Sequence, residues 1–179
     1  IIAEQGRMGV QLFYMASAFA LFYSISQRAD KFGFFIRRIF RIAPMFYIAT
    51  IFYFVFYTIY PNPNIEAASS DAFTFLNLFS HLTFLHALSP YWINTIVPGG
   101  WSVAVEMLFY LLVPTVYFIY KRYGVNFLYI SLASTTAISW IFNYSIVSLF
   151  SSDLPKYWPA FLYYNFFTQL PIFILGMII

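Results

Sequence analysis

The amino-acid sequence predicts an all-α fold, a bundle of helices that crosses a lipid bilayer several times. Of the 179 residues, 62% are hydrophobic, 25% aromatic and only 8% charged, and the mean hydropathy is +0.76. Because soluble domains average roughly 25% charged residues, a soluble domain of this length could not hide so much apolar surface from water. The composition therefore excludes a soluble domain and makes the lipid bilayer the first expected partner.

Five apolar stretches are long enough to span the bilayer, since a helix needs about 20 residues to cross a hydrocarbon core of about 30 Å. They are residues 8–26, 40–60, 102–120, 126–148 and 160–179. A sixth stretch, residues 73–88, is shorter and carries Asn77, His81 and His86. We predict that it lies along the outer surface, or enters the bundle and returns, without crossing.

The basic residues give the orientation of these spans. Five of the nine basic residues fall between Arg28 and Arg41, so the net charge of +3 indicates membrane topology and not nucleic-acid binding. Residues 27–41 should be cytoplasmic, which places residues 61–72 outside. If residues 73–88 do not cross, Lys121 and Arg122 also become cytoplasmic, as the positive-inside rule favours.

The chain reads as one membrane domain, residues 1–179. It has no cysteine, which excludes thiolate chemistry and disulfides, and it shows no internal repeat. It starts without methionine and stops inside the apolar run PIFILGMII, so we expect a partial domain that is cut at both ends.

Arg38 and Arg41 are the first candidates for chemistry. They are three residues apart, so on a helix they share one face and could together hold a phosphate. Basic residues at the inner end of a span are also common topology anchors. The spacing alone favours this second reading.

Glu106 is an ionisable residue within an apolar span, and such residues are functional candidates because a charge near the bilayer centre costs at least about 2.5 kcal/mol. Ser102 is the predicted N-cap of this span, four residues earlier, about 6 Å along the helix axis. The helix dipole would stabilise a carboxylate there. A catalytic role and a local stabilising role therefore both remain open. The predicted topology places Arg38 and Arg41 at the cytoplasmic end of one span and Glu106 near the outer end of another, so we predict that they do not touch.

His81 and His86 are five residues apart, which does not place them on one helix face. Neither has a carboxylate or a further ligand nearby in sequence, so we interpret them as interfacial polar residues and predict no metal site.

Four separated blocks of the sequence resemble the acyltransferase 3 family of membrane-bound acyl and acetyl transferases, in the order that the family has them. GVQLFYMASAF at 9–19 resembles GVDLFFVLSGF, RRIFRIAP at 37–44 resembles Arg-x-x-Arg-Ile-x-Pro, WSVAVEMLFYLLVP at 101–114 resembles WSLSVEEQFYLLWP, and FFTQLPIFILGMII at 166–179 resembles a later span that ends in Phe-x-x-Gly.

The resemblance implies roles for particular residues. Arg38 and Arg41 would lie on the acyl-CoA side, Glu106 would be the catalytic acid of its block, and Trp101, Ser102 and Tyr110 would support it. The family's first span carries an arginine and a histidine base, and we expect both to precede Ile1.

The sequence also departs from the family pattern at three positions. Gln11 stands where an Asp is usual, Ala18 where a Gly is usual, and Met107 where a second Glu is common. These departures affect the positioning of the site and its choice of substrate.

We therefore expect an integral, multi-pass protein of the cytoplasmic membrane that transfers an acyl group. We expect O-acetyl transfer with an acyl-CoA, acetyl-CoA, as the donor, which is a substrate and not a bound cofactor. The acceptor would be a hydroxyl of a cell-envelope carbohydrate or glycolipid. The rivals are a transporter or lipid-handling protein, in which Glu106 is a substrate or proton site, and an inactive relative. The sequence does not set the oligomeric state.

Overall fold

The computed structural model describes residues 2–27, 31–60, 73–150, 154–155 and 157–179. In these ranges the secondary structure is helical, without strands. The elements are α1 Ile2–Gln27, α2 Lys31–Ile59, α3 Phe75–Leu82, a 3₁₀ turn Leu85–Leu88, α4 Gly100–Tyr123, α5 Val125–Phe150, α6 Trp158–Tyr164 and α7 Phe166–Ile178.

The prediction of five membrane spans is confirmed. The segments long and apolar enough are Met8–Gln27, Ile36–Ile59, Gly100–Tyr123, Val125–Phe150 and Trp158–Ile178. The fifth consists of two helices, α6 and α7, which meet at Asn165. The Asn165 side chain accepts the backbone N–H of Thr168 at 3.0 Å and donates to the Phe161 carbonyl at 2.8 Å, so it satisfies backbone groups that the break leaves without helical partners.

Helices α1, α4 and α7 run in the same direction through the bundle. The Tyr14 hydroxyl donates to the Ser102 carbonyl at 3.0 Å, and further along the same pair of helices Phe22 packs against Tyr117, with ring centroids 5.6 Å apart. The Phe173 ring of α7 stacks on Tyr14 at 4.4 Å, and further along both helices Gly176 lies against Met15 and Ala18. These contacts place the Gln27 end of α1 beside the Tyr123 end of α4.

Helix α2 runs in the opposite direction to α4. Arg38 contacts Tyr110, whereas Phe46 lies beside Gly100 at the start of α4. Since α1 and α4 are parallel and α2 is antiparallel to both, the chain cannot cross the bundle between α2 and α4. The prediction that residues 73–88 do not span is therefore confirmed.

This connecting segment follows α2 into the bundle before it turns. Phe73 packs against Tyr57 with ring centroids 5.6 Å apart, and Phe84 packs against Tyr47 at 5.7 Å. Ten residues of α2 separate the two contacts, roughly 15 Å at 1.5 Å per residue. Phe84 has a left-handed backbone with φ of 61°, and there the chain reverses toward α4.

The reversal brings the two histidines together. Their rings are parallel, 3.8 Å apart and tilted by 2°, and His86 also stacks on Phe46 at 5.8 Å. His81 is 1% and His86 0% exposed, so their interpretation as interfacial residues on separate faces is wrong. The spacing argument assumed one continuous helix, whereas α3 ends at Leu82.

Candidate active site

Helix α2 carries Arg38 and Arg41 into the bundle. Arg38 lies seven residues after the start of α2 at Lys31, which is about 10 Å along the axis, and Arg41 follows on the same face. Their span was predicted to begin at residue 40. The span instead begins at Ile36, within a helix that starts at Lys31, so Arg38 as well as Arg41 lies inside it.

Glu106 is buried in α4, with only 4% of its surface exposed. The Ser17 hydroxyl of α1 donates a hydrogen bond to its Oε1 at 2.7 Å. The Tyr110 hydroxyl, one turn further along α4, donates to the same oxygen. A buried carboxylate requires such donors because burial removes its water, and hydrogen bonds to a charged acceptor are stronger than neutral ones.

Tyr110 connects the carboxylate with an arginine. Nη1 of Arg38 donates to the Tyr110 hydroxyl at 3.5 Å, and the guanidinium carbon lies 6.0 Å from the centroid of the Tyr110 ring, within the range of a cation–π contact. Arg38 and Glu106 are therefore separated by one phenol hydroxyl.

These side chains surround one cavity of about 290 Å³. Its lining residues are Phe13, Ser17, Arg38, Arg41, Ile42, Glu106 and Tyr110. Helices α1, α2 and α4 thus line the cavity with two guanidinium groups, one carboxylate, two hydroxyls and two apolar side chains.

The topology argument predicted that the arginines and Glu106 lie at opposite ends of the bundle and do not meet. That prediction is wrong. Glu106 is level with Ser17, the tenth residue of the 20-residue span Met8–Gln27, because α4 begins beside the middle of α2, at Phe46, and not at its Ile59 end. Arg38 lies seven residues inside α2. Its guanidinium group and the Glu106 carboxylate are therefore at a similar depth in the bundle and come close to each other.

The predicted N-cap at Ser102 is also wrong. Helix α4 begins at Gly100 and its N-cap is Gly99, whose φ of 74° gives a left-handed backbone without a capping side chain. The Ser102 hydroxyl instead donates to the Gly99 carbonyl at 2.9 Å.

The three supporting residues divide into one that lines the cavity and two that pack beside it. Tyr110 lines the cavity. Trp101 is buried and stacks on Tyr164 at 4.2 Å, and Ser102 accepts the Tyr14 hydroxyl through its carbonyl. Trp101 and Ser102 therefore fix the start of α4 between α1 and the fifth span.

The sequence analysis missed Ser17, together with Phe13 and Ile42. The available signal was weak: Ser17 is a hydroxyl within an apolar span and lies in the block at 9–19. Its partner Glu106 is 89 residues away in the chain, and no spacing rule connects positions so far apart.

The chemical groups of the cavity suit acid–base chemistry on a hydroxyl next to an anionic group. A carboxylate that already accepts two hydrogen bonds from hydroxyl groups can bind a further hydroxyl or orient a base, and guanidinium groups stabilise anions. In the described part of the chain, no group of three or more His, Cys, Asp or Glu side chains could hold a metal ion.

Comparison with known proteins assigns the family. The sequence model of a family described as an acyltransferase domain, acyltransferase 3, matches residues 2–179. No curated protein and no solved structure matches the chain. Because the family match covers nearly every residue, including all four blocks, the chain belongs to the acyltransferase 3 family of membrane acyltransferases.

Proposed function

We propose that this protein transfers an acyl group, with acetyl as the simplest case, from acyl-CoA to a hydroxyl of a cell-envelope carbohydrate or glycolipid. The observation that carries the proposal is the shared cavity, which Arg38, Arg41 and Glu106 all line. In it the arginines would contact the donor and Glu106 would serve the acceptor hydroxyl. The family membership supports acyl transfer, and the cavity supports the assignment of these residues.

The size of the cavity supports a small transferred group. Its volume of about 290 Å³ is at the lower end of the about 300–1,000 Å³ typical of pockets for drug-sized ligands. Its apolar wall, Phe13 and Ile42, suits a short acyl chain, and its polar wall suits a thioester and a hydroxyl.

In the proposed reaction, the acceptor oxygen attacks the thioester carbonyl carbon. The new carbon–oxygen bond forms as the hydroxyl proton passes to Glu106 or to a base that Glu106 orients. The tetrahedral intermediate then collapses, the carbon–sulfur bond breaks, and the CoA sulfur leaves and takes up the proton. The ester and free CoA are the products.

The orientation that we propose places residues 27–41 in the cytoplasm, where acyl-CoA is found. The Gln27 end of α1 and the Lys121–Arg122 end of α4 lie on the same side of the bundle, so the basic residues of both loops collect there, as the positive-inside rule requires of a cytoplasmic face. The protein would act in the cytoplasmic membrane.

The test uses the full-length protein in isolated membranes with labelled acetyl-CoA. We expect Glu106→Gln to lower transfer to the acceptor at least about 100-fold, the range for loss of an acid–base group, and Arg38→Ala with Arg41→Ala to abolish it. Arg37→Ala is the matched control, because Arg37 is exposed on the same helix and outside the cavity lining; it should keep at least half the activity.

Membrane levels of each variant are compared by quantitative blotting. Normal transfer by well-expressed Glu106→Gln protein would remove Glu106 from the mechanism. If the wild-type protein consumes no acetyl-CoA, a transporter or an inactive relative becomes the better reading.

A further inference from the structure

Arg38 lies too close to Glu106 to hold the phosphates of an acyl-CoA whose thioester reacts beside that carboxylate. Two hydrogen bonds in series, through the Tyr110 hydroxyl, link the guanidinium to Glu106, which limits their separation to about 7 Å. The pantetheine arm separates sulfur from pyrophosphate by about a dozen bonds, roughly 14 Å when extended at about 3.5 Å per three bonds.

The volume of the cavity leads to the same conclusion. At about 290 Å³ it has space for the thioester end of the donor and part of the arm, but CoA as a whole is larger than the drug-sized ligands that such pockets enclose. The nucleotide therefore extends beyond the cavity, and Arg38, which is linked to Glu106 through Tyr110, meets the reacting end.

Two basic residues, Lys121 and Arg122, lie about one pantetheine length from Tyr110. Lys121 and Arg122 lie in the last turn of α4, and Lys121 is eleven residues beyond Tyr110, about 16 Å along the helix. Both are exposed, at the basic end of the bundle where α2 begins. A donor whose thioester lies beside Tyr110 and whose arm follows α4 would bring its phosphates to this pair.

We propose that Arg38 is a catalytic residue that stabilises the oxyanion formed on the thioester carbonyl, and that Lys121 and Arg122 bind the phosphates of CoA. This inference rests on the proposed function. When the acceptor oxygen adds to the carbonyl carbon, negative charge develops on the carbonyl oxygen. A guanidinium already aligned by Tyr110, beside the buried Glu106, stabilises this charge in the transition state. The charge returns to the carbonyl as the carbon–sulfur bond breaks.

The experiment compares two donors with full-length protein in detergent: acetyl-CoA, and S-acetyl-N-acetylcysteamine, a thioester without phosphates. We expect Arg38→Ala to lower kcat at least about 100-fold with both donors, the usual effect of removing an oxyanion donor. We expect the Lys121→Ala/Arg122→Ala double variant to raise KM for acetyl-CoA about tenfold or more, an effect that disappears with the phosphate-free donor.

The opposite pattern overturns the inference. If the defect of Arg38→Ala is confined to KM for acetyl-CoA and disappears with the phosphate-free donor, Arg38 is a phosphate anchor and the proposed function still stands. Glu106→Gln runs in parallel, and full activity of that variant with both donors would remove Glu106 from the mechanism. Only a wild-type protein that consumes no acetyl-CoA would remove the proposed function itself. Arg38→Lys, which keeps the charge but not the planar donors, replaces Arg38→Ala if the latter does not elute as a monodisperse peak.

A second measurement decides the matter if the wild-type protein does not use the phosphate-free donor. Adenosine 3′,5′-bisphosphate carries CoA-like phosphates without the arm and should inhibit in competition with acetyl-CoA. We expect its inhibition constant to rise about tenfold in the Lys121→Ala/Arg122→Ala variant and to change less than twofold in Arg38→Ala or Arg38→Lys. A rise confined to the Arg38 variants would refute the inference.

Discussion

At the scale of single residues, the site depends on how one carboxylate oxygen is held. Oε1 of Glu106 accepts from both Ser17 and Tyr110, which fills the two lone pairs of that oxygen and directs other partners to Oε2. Tyr110 is on the same helix as Glu106, so its hydrogen bond holds the Glu106 side chain against α4. Ser17 comes from α1 and fixes it relative to the cavity.

We therefore predict that the hydroxyl of Ser17 matters more than its size. Ser17→Thr keeps the hydroxyl, whereas Ser17→Val has the same shape as Thr without it. A hydrogen bond to a charged group contributes about 1.5–3 kcal/mol, so Ser17→Val should lower kcat about 10- to 100-fold while the KM for acetyl-CoA stays within about twofold. Ser17→Thr should stay within a few-fold of the wild-type protein.

Steady-state kinetics on purified protein would check this prediction. Ser26→Ala is the control on the same helix, since its exposed hydroxyl donates to the Tyr23 carbonyl within α1 and lies away from the cavity lining. Equal kcat values for the Val and Thr variants would show that the hydrogen bond to Glu106 has no part in transfer.

The sequence was informative about single residues where a side chain is unusual for its surroundings. Glu106 is the one carboxylate within the five spans of the described chain, and Arg38 and Arg41 share a spacing, so each could be recognised alone. That they meet could not be predicted, because the meeting depends on where α4 begins relative to α2. Gly99 and the turn at Phe84 determine that position, and the sequence around them does not predict how deep in the bundle α4 begins.

At the scale of elements, close contact between α1 and α7 holds the wall of the site in place. A Cβ added at Gly176 of α7 would collide with the backbone carbonyl of Met15 in α1. Small residues that allow backbones to approach are a common basis of helix packing in membranes. Met15 lies two residues before Ser17, so this contact sets the position of the hydroxyl that reaches Glu106.

We predict that Gly176→Ala destabilises the protein although alanine is the better helix former. Gly9→Ala is the matched control, because a Cβ there meets nothing within 4 Å, and the gain in helix propensity, about 1 kcal/mol, should leave it as stable as the wild-type protein or more so. Thermal unfolding in detergent should show a midpoint several degrees lower for Gly176→Ala alone. Equal midpoints would mean that α1 and α7 separate without loss of stability.

The elements also show how far periodicity and length can predict. Five spans follow from apolar length because a helix must cross a fixed thickness. The break at Asn165 and the reversal at Phe84 do not follow, since each depends on side-chain and backbone contacts that form only after the neighbouring helices have packed. The stack of His86 on His81 depends on the same reversal.

At the scale of the whole molecule, the direction in which the helices cross the membrane determines from which side the donor that we propose can enter. Helices α1, α4 and α7 are parallel, so the end that carries Lys121 and Arg122 is also the end where α1 meets α2. Tyr91 lies at the other end, where it packs against Tyr157, just before α6 begins, with ring centroids 4.9 Å apart. Acyl-CoA from the cytoplasm can reach the basic side of the cavity only if that end is cytoplasmic.

The last prediction concerns this orientation. Residues 1–179 contain no cysteine, so an introduced cysteine is the one reactive thiol in this region. We expect Tyr91→Cys to react with a membrane-impermeant maleimide in intact cells, and Tyr123→Cys to react only after permeabilisation; both side chains are exposed, so access and not burial sets the result. The reverse pattern would place the basic end outside, away from acyl-CoA. The donor would then have to be a lipid-linked or extracellular acyl group, and Lys121 and Arg122 would lose the ligand that we propose for them.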